Sequence, residues 1–156
     1  LNSPHQYAVS AFEPSVLYQQ QSTYIYHAPL FADPSAGQAQ GGIALVFDSA
    51  PQFSAMLLDI LPKNEHGEVK ADFSACFIDE KAVVLSSSNA SLWPVGHYLD
   101  LSDELFRSAQ QKPINQRVTL NNQPYWLAMA SSKGYREYKV SDNYHNPVYC
   151  CVMLQC

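Results

Sequence analysis

Charge is scarce in this chain: only 15% of its 156 residues are Asp, Glu, Lys or Arg. The nine basic residues are dispersed, and only Lys133, Arg136 and Lys139 cluster. A nucleic-acid partner needs a basic footprint to neutralise phosphates, so that class of partner is excluded. The formal charge of −5 is an ordinary solubility device. Long apolar runs are missing too. None approaches the roughly eighteen residues of a membrane span, so no membrane contact is expected of this segment. No C-x-x-C pair occurs among Cys76, Cys150, Cys151 and Cys156, which argues against a zinc ribbon or a thioredoxin-like redox site. There is no G-x-S-x-G and no His-x-x-x-His, and His5, His27, His66, His97 and His145 fall in separate segments. With no nucleophile, base or metal motif, neither catalysis nor a cofactor is expected.

Hydrophobic residues make up 47% of the chain, enough for a real core. The length fits one ordinary domain, or one small domain plus part of another. The opening Leu1-Asn2-Ser3-Pro4 reads as the start of a fragment of a longer protein. All four cysteines sit in or beside apolar stretches, where they read as buried, reduced thiols. That usage points to a reducing compartment.

The pattern predicts a short helix over 13–21, then a strand over 23–31 and an apolar strand over 42–47. The unbroken apolarity of 42–47 predicts burial on both faces. Ser49-Ala50-Pro51-Gln52 is a capping-box pattern. After it, Phe53, Met56, Leu57, Ile60 and Leu61 form one helical face that stops before Pro62. Residues 72–87 read as a hairpin turning at Asp79-Glu80-Lys81. Ser88 to Leu101 is a loop carrying Trp93-Pro94-Val95-Gly96, and Ser102 caps a second helix. A hairpin turning at 121–124 follows, then a closing strand over 148–155. Strands joined by hairpins, with helices packed on one side, make an α+β antiparallel sheet. The expected organisation is an N-terminal segment with a hairpin over 1–48, then one compact α+β domain over 49–156.

The element order and several local stretches resemble the Cache-type (PAS-like) sensor domains of bacteria. Phe77-Ile78-Asp79-Glu80-Lys81-Ala82-Val83-Val84-Leu85-Ser86-Ser87-Ser88 resembles the Cache opening hairpin. Val95-Gly96 followed by Leu99 resembles the family's V-G-x-x-L step into a short helix. Asn122-Gln123-Pro124-Tyr125-Trp126-Leu127 resembles its turn-Tyr-apolar strand, which lines the pocket in relatives. Gly41 to Phe47 resembles the last strand of a preceding sensor module in a tandem array. Gly134-Tyr135-Arg136-Glu137-Tyr138-Lys139 is similar to Cache-containing chemotaxis proteins that also carry a CheW-like domain. The resemblance covers roughly residues 42–155. It departs from the amino-acid-binding pattern, because the Arg, Trp, Tyr and Asp set cannot be laid out at the usual spacing. The usual long leading helix is also missing.

The resemblance implies a PAS-like antiparallel sheet wrapped around a ligand cavity. On that reading, Arg136 between Tyr135 and Tyr138 is the candidate for a carboxylate grip with two parallel hydrogen bonds; the alternative is a solvated ion pair with Glu137 or Asp142. Tyr125 shares a face with Leu127 and Met129, and Trp126 shares the other with Ala128 and Ala130, so one of the two aromatics must enter the core. Trp93 is either a lid over the pocket mouth or a plug in the core. Ser86 and Ser88 stand on one face at a strand end. The candidate ligand-binding set is therefore Arg136, Tyr125, Tyr138, Trp93, Ser86 and Ser88, with no metal. The implied function is a small-molecule-sensing or signal-relay module of a chemotaxis-linked signalling protein, acting by a ligand-dependent conformational shift. Its partners would be a small organic ligand, neighbouring signalling domains and a second copy. The alternative is a ligand-free structural or dimerisation module. A typical Cache domain is periplasmic, whereas the unpaired cysteines favour the cytoplasm.

Overall fold

A computed structural model of the chain describes residues 7–10, 12–33, 38–132 and 147–156. These fall into two compact units, one of residues 7–49 and one of residues 50–132 and 147–156. Among the described residues, no helix is long and apolar enough to cross a membrane.

The first unit contains β1 (Ala8–Val9), β2 (Glu13–Ser15), β3 (Gln21–Thr23), β4 (Ile25–Leu30) and β5 (Gly41–Val46). The sheet runs β1-β4-β5, and β2 and β3 form a separate hairpin. The helix expected over 13–21 shrinks to a single 3-10 turn at Val16–Tyr18. Ser15 Oγ accepts the Leu17 amide at its start, and Gln19 and Gln20 take positive φ of 54° and 63° at its end. Two left-handed residues reverse the chain and forbid helix propagation. β4 and β5 pair antiparallel as a hairpin. The expected burial of 42–47 is not met, since every residue of β5 is exposed. An apolar run records a strand's appetite for cover, and the cover itself comes from other parts of a fold.

α1 (Ser49–Ile60) follows, then β6 (Phe73–Ile78), β7 (Val84–Ser87), α2 (Asp103–Gln111), β8 (Ile114–Leu120), β9 (Gln123–Ser131) and β10 (Tyr149–Gln155). The Ser49 hydroxyl does not cap α1; it donates to the Ser22 carbonyl at 2.9 Å. Ser102 precedes α2 with extended backbone but forms no side-chain cap bond. The acidic pair Asp103 and Glu104 still meets the positive end of that helix.

The second unit is a five-stranded sheet in the order β7-β6-β10-β9-β8, antiparallel throughout. The first strand of the unit therefore lies beside the last, at its centre. This is the α+β, PAS-like arrangement that the resemblance implies. Period-two alternation sorts the side chains. Cys76, Ile78, Tyr125, Leu127, Met129, Tyr149, Cys151 and Met153 enter one cluster with Trp93, Leu105 and Ala109. Phe73, Ala75, Phe77, Cys150 and Val152 enter another with Leu57 and Leu61. The two helices thus pack on opposite faces, α2 on the first and α1 on the second, and not together on one side as expected.

Candidate functional site

Trp93 and Tyr125, two of the candidate residues, lie on the sheet face that meets α2 and the 88–102 connector. That connector has no regular structure, so hydrogen bonds to the edge of β7 fix its path. Gly96 N donates to the Val84 carbonyl, Val84 N to the His97 carbonyl, and Leu99 N to the Ala82 carbonyl. Gly96 takes φ +83°, a conformation that favours glycine and turns the connector toward β7. The backbone amide of Trp93 bonds the Asn89 carbonyl at 2.9 Å.

This anchoring delivers Trp93 inward, with 0% exposure. Its Nε1 donates to Ser74 Oγ at 3.0 Å, and its ring meets Tyr125 edge to face with centroids 5.6 Å apart. Of the two adjacent aromatics, Tyr125 enters the core and Trp126 is 48% exposed on the opposite face. Ser86 is buried in β7. Ser88 Oγ accepts the Ala75 amide at 2.9 Å, and Ser88 N donates to the Ala75 carbonyl. The structure thus brings Trp93 and Tyr125 together and puts Ser86 on the buried side of the same unit. Arg136 and Tyr138, with the rest of Gly134–Lys139, lie outside the described residues.

Three polar groups of this face are absent from the sequence-derived set. Ser74 is the indole's acceptor; it shares parity with Cys76 and Ile78, so alternation alone could have placed it inward. Gln110 Nε2 donates to the Tyr149 hydroxyl at 2.7 Å, while Phe106 sits edge to face on the Tyr149 ring at 4.9 Å. No local signal links residues 39 positions apart.

The Cys150 and Cys151 thiols are poor nucleophiles. Burial, with Cys76 nearby, pushes the Cys150 thiol up to about 11. Cys151 is also raised, first by its hydrogen bond with Cys76 and then by burial. A raised thiol pKa means that the folded state holds the proton more tightly than the unfolded chain. The contribution to stability is complete below pH 9 and is lost as the pH rises toward about 11. Stability measured by urea unfolding between pH 8 and 11 should therefore fall less steeply in Cys150→Ala than in the parent. Equal slopes would show that Cys150 is not the titrating group.

Among the described residues, no three His, Cys, Asp or Glu side chains converge on a metal-sized site. The first unit carries an open groove of about 410 Å³ along β4 and β5, with His27 as its one titratable side chain.

No family model and no curated protein matches the sequence. Solved structures do match over nearly the whole chain. The ligand-binding domain of Mlp24, solved with asparagine, aligns at a TM-score of 0.55 and 11% identity, over 96% of this chain and 51% of that one. The sensory domain of the Campylobacter jejuni chemoreceptor Tlp3 aligns at 0.51 and 11% identity, over 97% and 49%. An extracellular ligand-binding receptor from Desulfohalobium retbaense aligns at 0.53 and 12% identity, over 96% and 22%. The chain therefore spans about half, or less, of the length of these solved chains. At such identities the likeness is one of fold, and it is the sensor-domain fold that the Cache-type resemblance implies.

Proposed function

We propose that this chain is a small-molecule-sensing module of a bacterial signal-transduction protein, linked to chemotaxis and without catalysis of its own. The supporting observation is its fold, a β7-β6-β10-β9-β8 sheet that superposes on chemoreceptor sensor domains over almost its full length. In this reading a ligand binds one arrangement of the sheet and its covering segments more tightly than another. The differential affinity shifts the population, and a neighbouring domain reads the shift. Arg136 grips a carboxylate on the ligand, Tyr138 flanks it, and Ser86 and Ser88 supply polar groups. Trp93 and Tyr125 form the apolar floor. Residues 1–48 are then the end of a preceding sensor module, a reading supported by the uncovered apolar strand β5.

A thermal-shift screen with organic acids, amino acids, purines and polyamines tests this. A ligand at about 100 times its Kd adds roughly 2.7 kcal/mol to the stability of the native state. We expect a carboxylate-bearing compound to raise the melting temperature of the parent and to leave Arg136→Ala unmoved. An equal rise in both proteins would remove Arg136 from the site.

The exposed Met56, Leu58 and Ile60 of α1, together with exposed Trp126 in β9, favour a second reading, a dimerisation module. Analytical ultracentrifugation of the parent against Trp126→Lys separates the two. A dimer that the substitution dissociates, with no ligand found, would support the second.

A further inference from the structure

Cys76 and Cys151 occupy neighbouring strands, β6 and the central β10, and stand directly opposite each other in the antiparallel register. Directly opposed residues in such a ladder have Cα atoms about 4.5 or 5.5 Å apart, depending on whether the pair is hydrogen-bonded. Both spacings fall inside the roughly 4.4–6.8 Å range that a disulfide spans. Opposed residues also point to the same face, and here both side chains are 0% exposed in one cluster. The Cys76 thiol is close enough to Cys151 to raise its pKa. Cys150 points to the other face, and Cys156 is exposed after the end of β10.

We propose that Cys76 and Cys151 are a disulfide-forming pair, cross-linked when the chain folds in the presence of a small-molecule disulfide oxidant. The thiolate of one cysteine attacks a sulfur of the oxidant and expels one thiolate. The second cysteine loses its proton and attacks the protein-borne sulfur, expelling the other. Two protein thiols give up two electrons and two protons, and the oxidant leaves as two thiols. The folded, reduced pair resists this chemistry, because both thiols are fully buried and out of an oxidant's reach. Oxidation therefore belongs to folding, before the sheet closes. The cross-link ties the first strand of the unit to the last and restricts the unfolded chain over a long loop. It is independent of any ligand.

The test is to unfold the chain in guanidinium chloride under reducing conditions and refold it with oxidised and reduced glutathione. Peptide mapping by mass spectrometry then locates the link. To keep competing thiols out, the experiment is repeated in the Cys150→Ala, Cys156→Ser double variant. We expect a Cys76–Cys151 peptide two mass units below its reduced sum, and a melting temperature roughly 5–10 °C above that of the reduced protein. The already folded protein in the same buffer should stay reduced far longer. Refolding to a native circular-dichroism spectrum with Cys76 and Cys151 both free, or linked to other partners, would overturn the proposal. So would a cross-linked form that melts below the reduced one.

Discussion

Trp93→Ala should cost about 3–5 kcal/mol, the range for removing a large aromatic side chain from a core. The residue has no regular secondary structure to hold it, yet it is among the largest fully buried side chains in the protein. Deleting the indole removes its apolar contacts, leaves a cavity against Tyr125, and strands Ser74 Oγ without its donor. Trp93→Phe keeps most of the volume and should cost less. Ser74→Ala tests the hydrogen bond from its other end: it leaves a buried indole N–H unsatisfied, at about 1–3 kcal/mol. Urea denaturation with a shared m-value measures all three. A loss below about 1 kcal/mol for Trp93→Ala would mean that the indole is not a plug, and would return it to the role of a mobile lid.

The second large effect is expected at Leu57. It is fully buried, and it is the residue by which α1 grips Ala75, Phe73, Phe77 and Val152 on the sheet. Phe53 adds an edge-to-face contact with Phe77 at 5.5 Å. Leu57→Ala should therefore lose roughly 2–5 kcal/mol. Met56, its exposed neighbour on the same helix, is the internal control: Met56→Ala should change stability by no more than about 0.5 kcal/mol. Hydrogen exchange adds a local readout, since amides of β6 should lose protection in the Leu57 variant. Comparable losses at both positions would show that α1 does not pack through the face described.

The same two residues show how far the sequence could be read. The 3.6-residue spacing of Phe53, Met56, Leu57, Ile60 and Leu61 marks the helix without any tertiary information, but of that face Leu57 and Leu61 are buried while Met56 and Ile60 are exposed. The alternation in Phe73–Ile78 and Tyr125–Met129 likewise marks strands and pairs of faces. Asp79 is legible for a local reason as well: its Oδ1 accepts the amides of Lys81 and Val83 at 2.8 Å, closing the turn between β6 and β7. Trp93 was not legible. Its position depends on hydrogen bonds between the connector and the β7 edge and on an acceptor nineteen residues away, none of which leaves a periodic trace. β5 was misread for the complementary reason. Its apolarity was visible, but exposure depends on what lies over a strand, and that is decided elsewhere in the fold. The helix expected over 13–21 failed at Gln19 and Gln20, whose left-handed backbone no side-chain pattern announces.

By itself the sequence determined the local grammar of the second unit: which of its stretches are helix or strand and where its hairpins turn; it also showed that no basic footprint or catalytic motif is present. These features are set by neighbours within a few positions, through hydrogen-bond period, steric preference and side-chain alternation. Only the tertiary structure decided that the first strand of the second unit lies beside the last, that Tyr125 rather than Trp126 enters the core, and that Cys76 faces Cys151. Those choices rest on contacts between residues far apart in the chain, where the free energy of burial is shared among many side chains and no single stretch carries it.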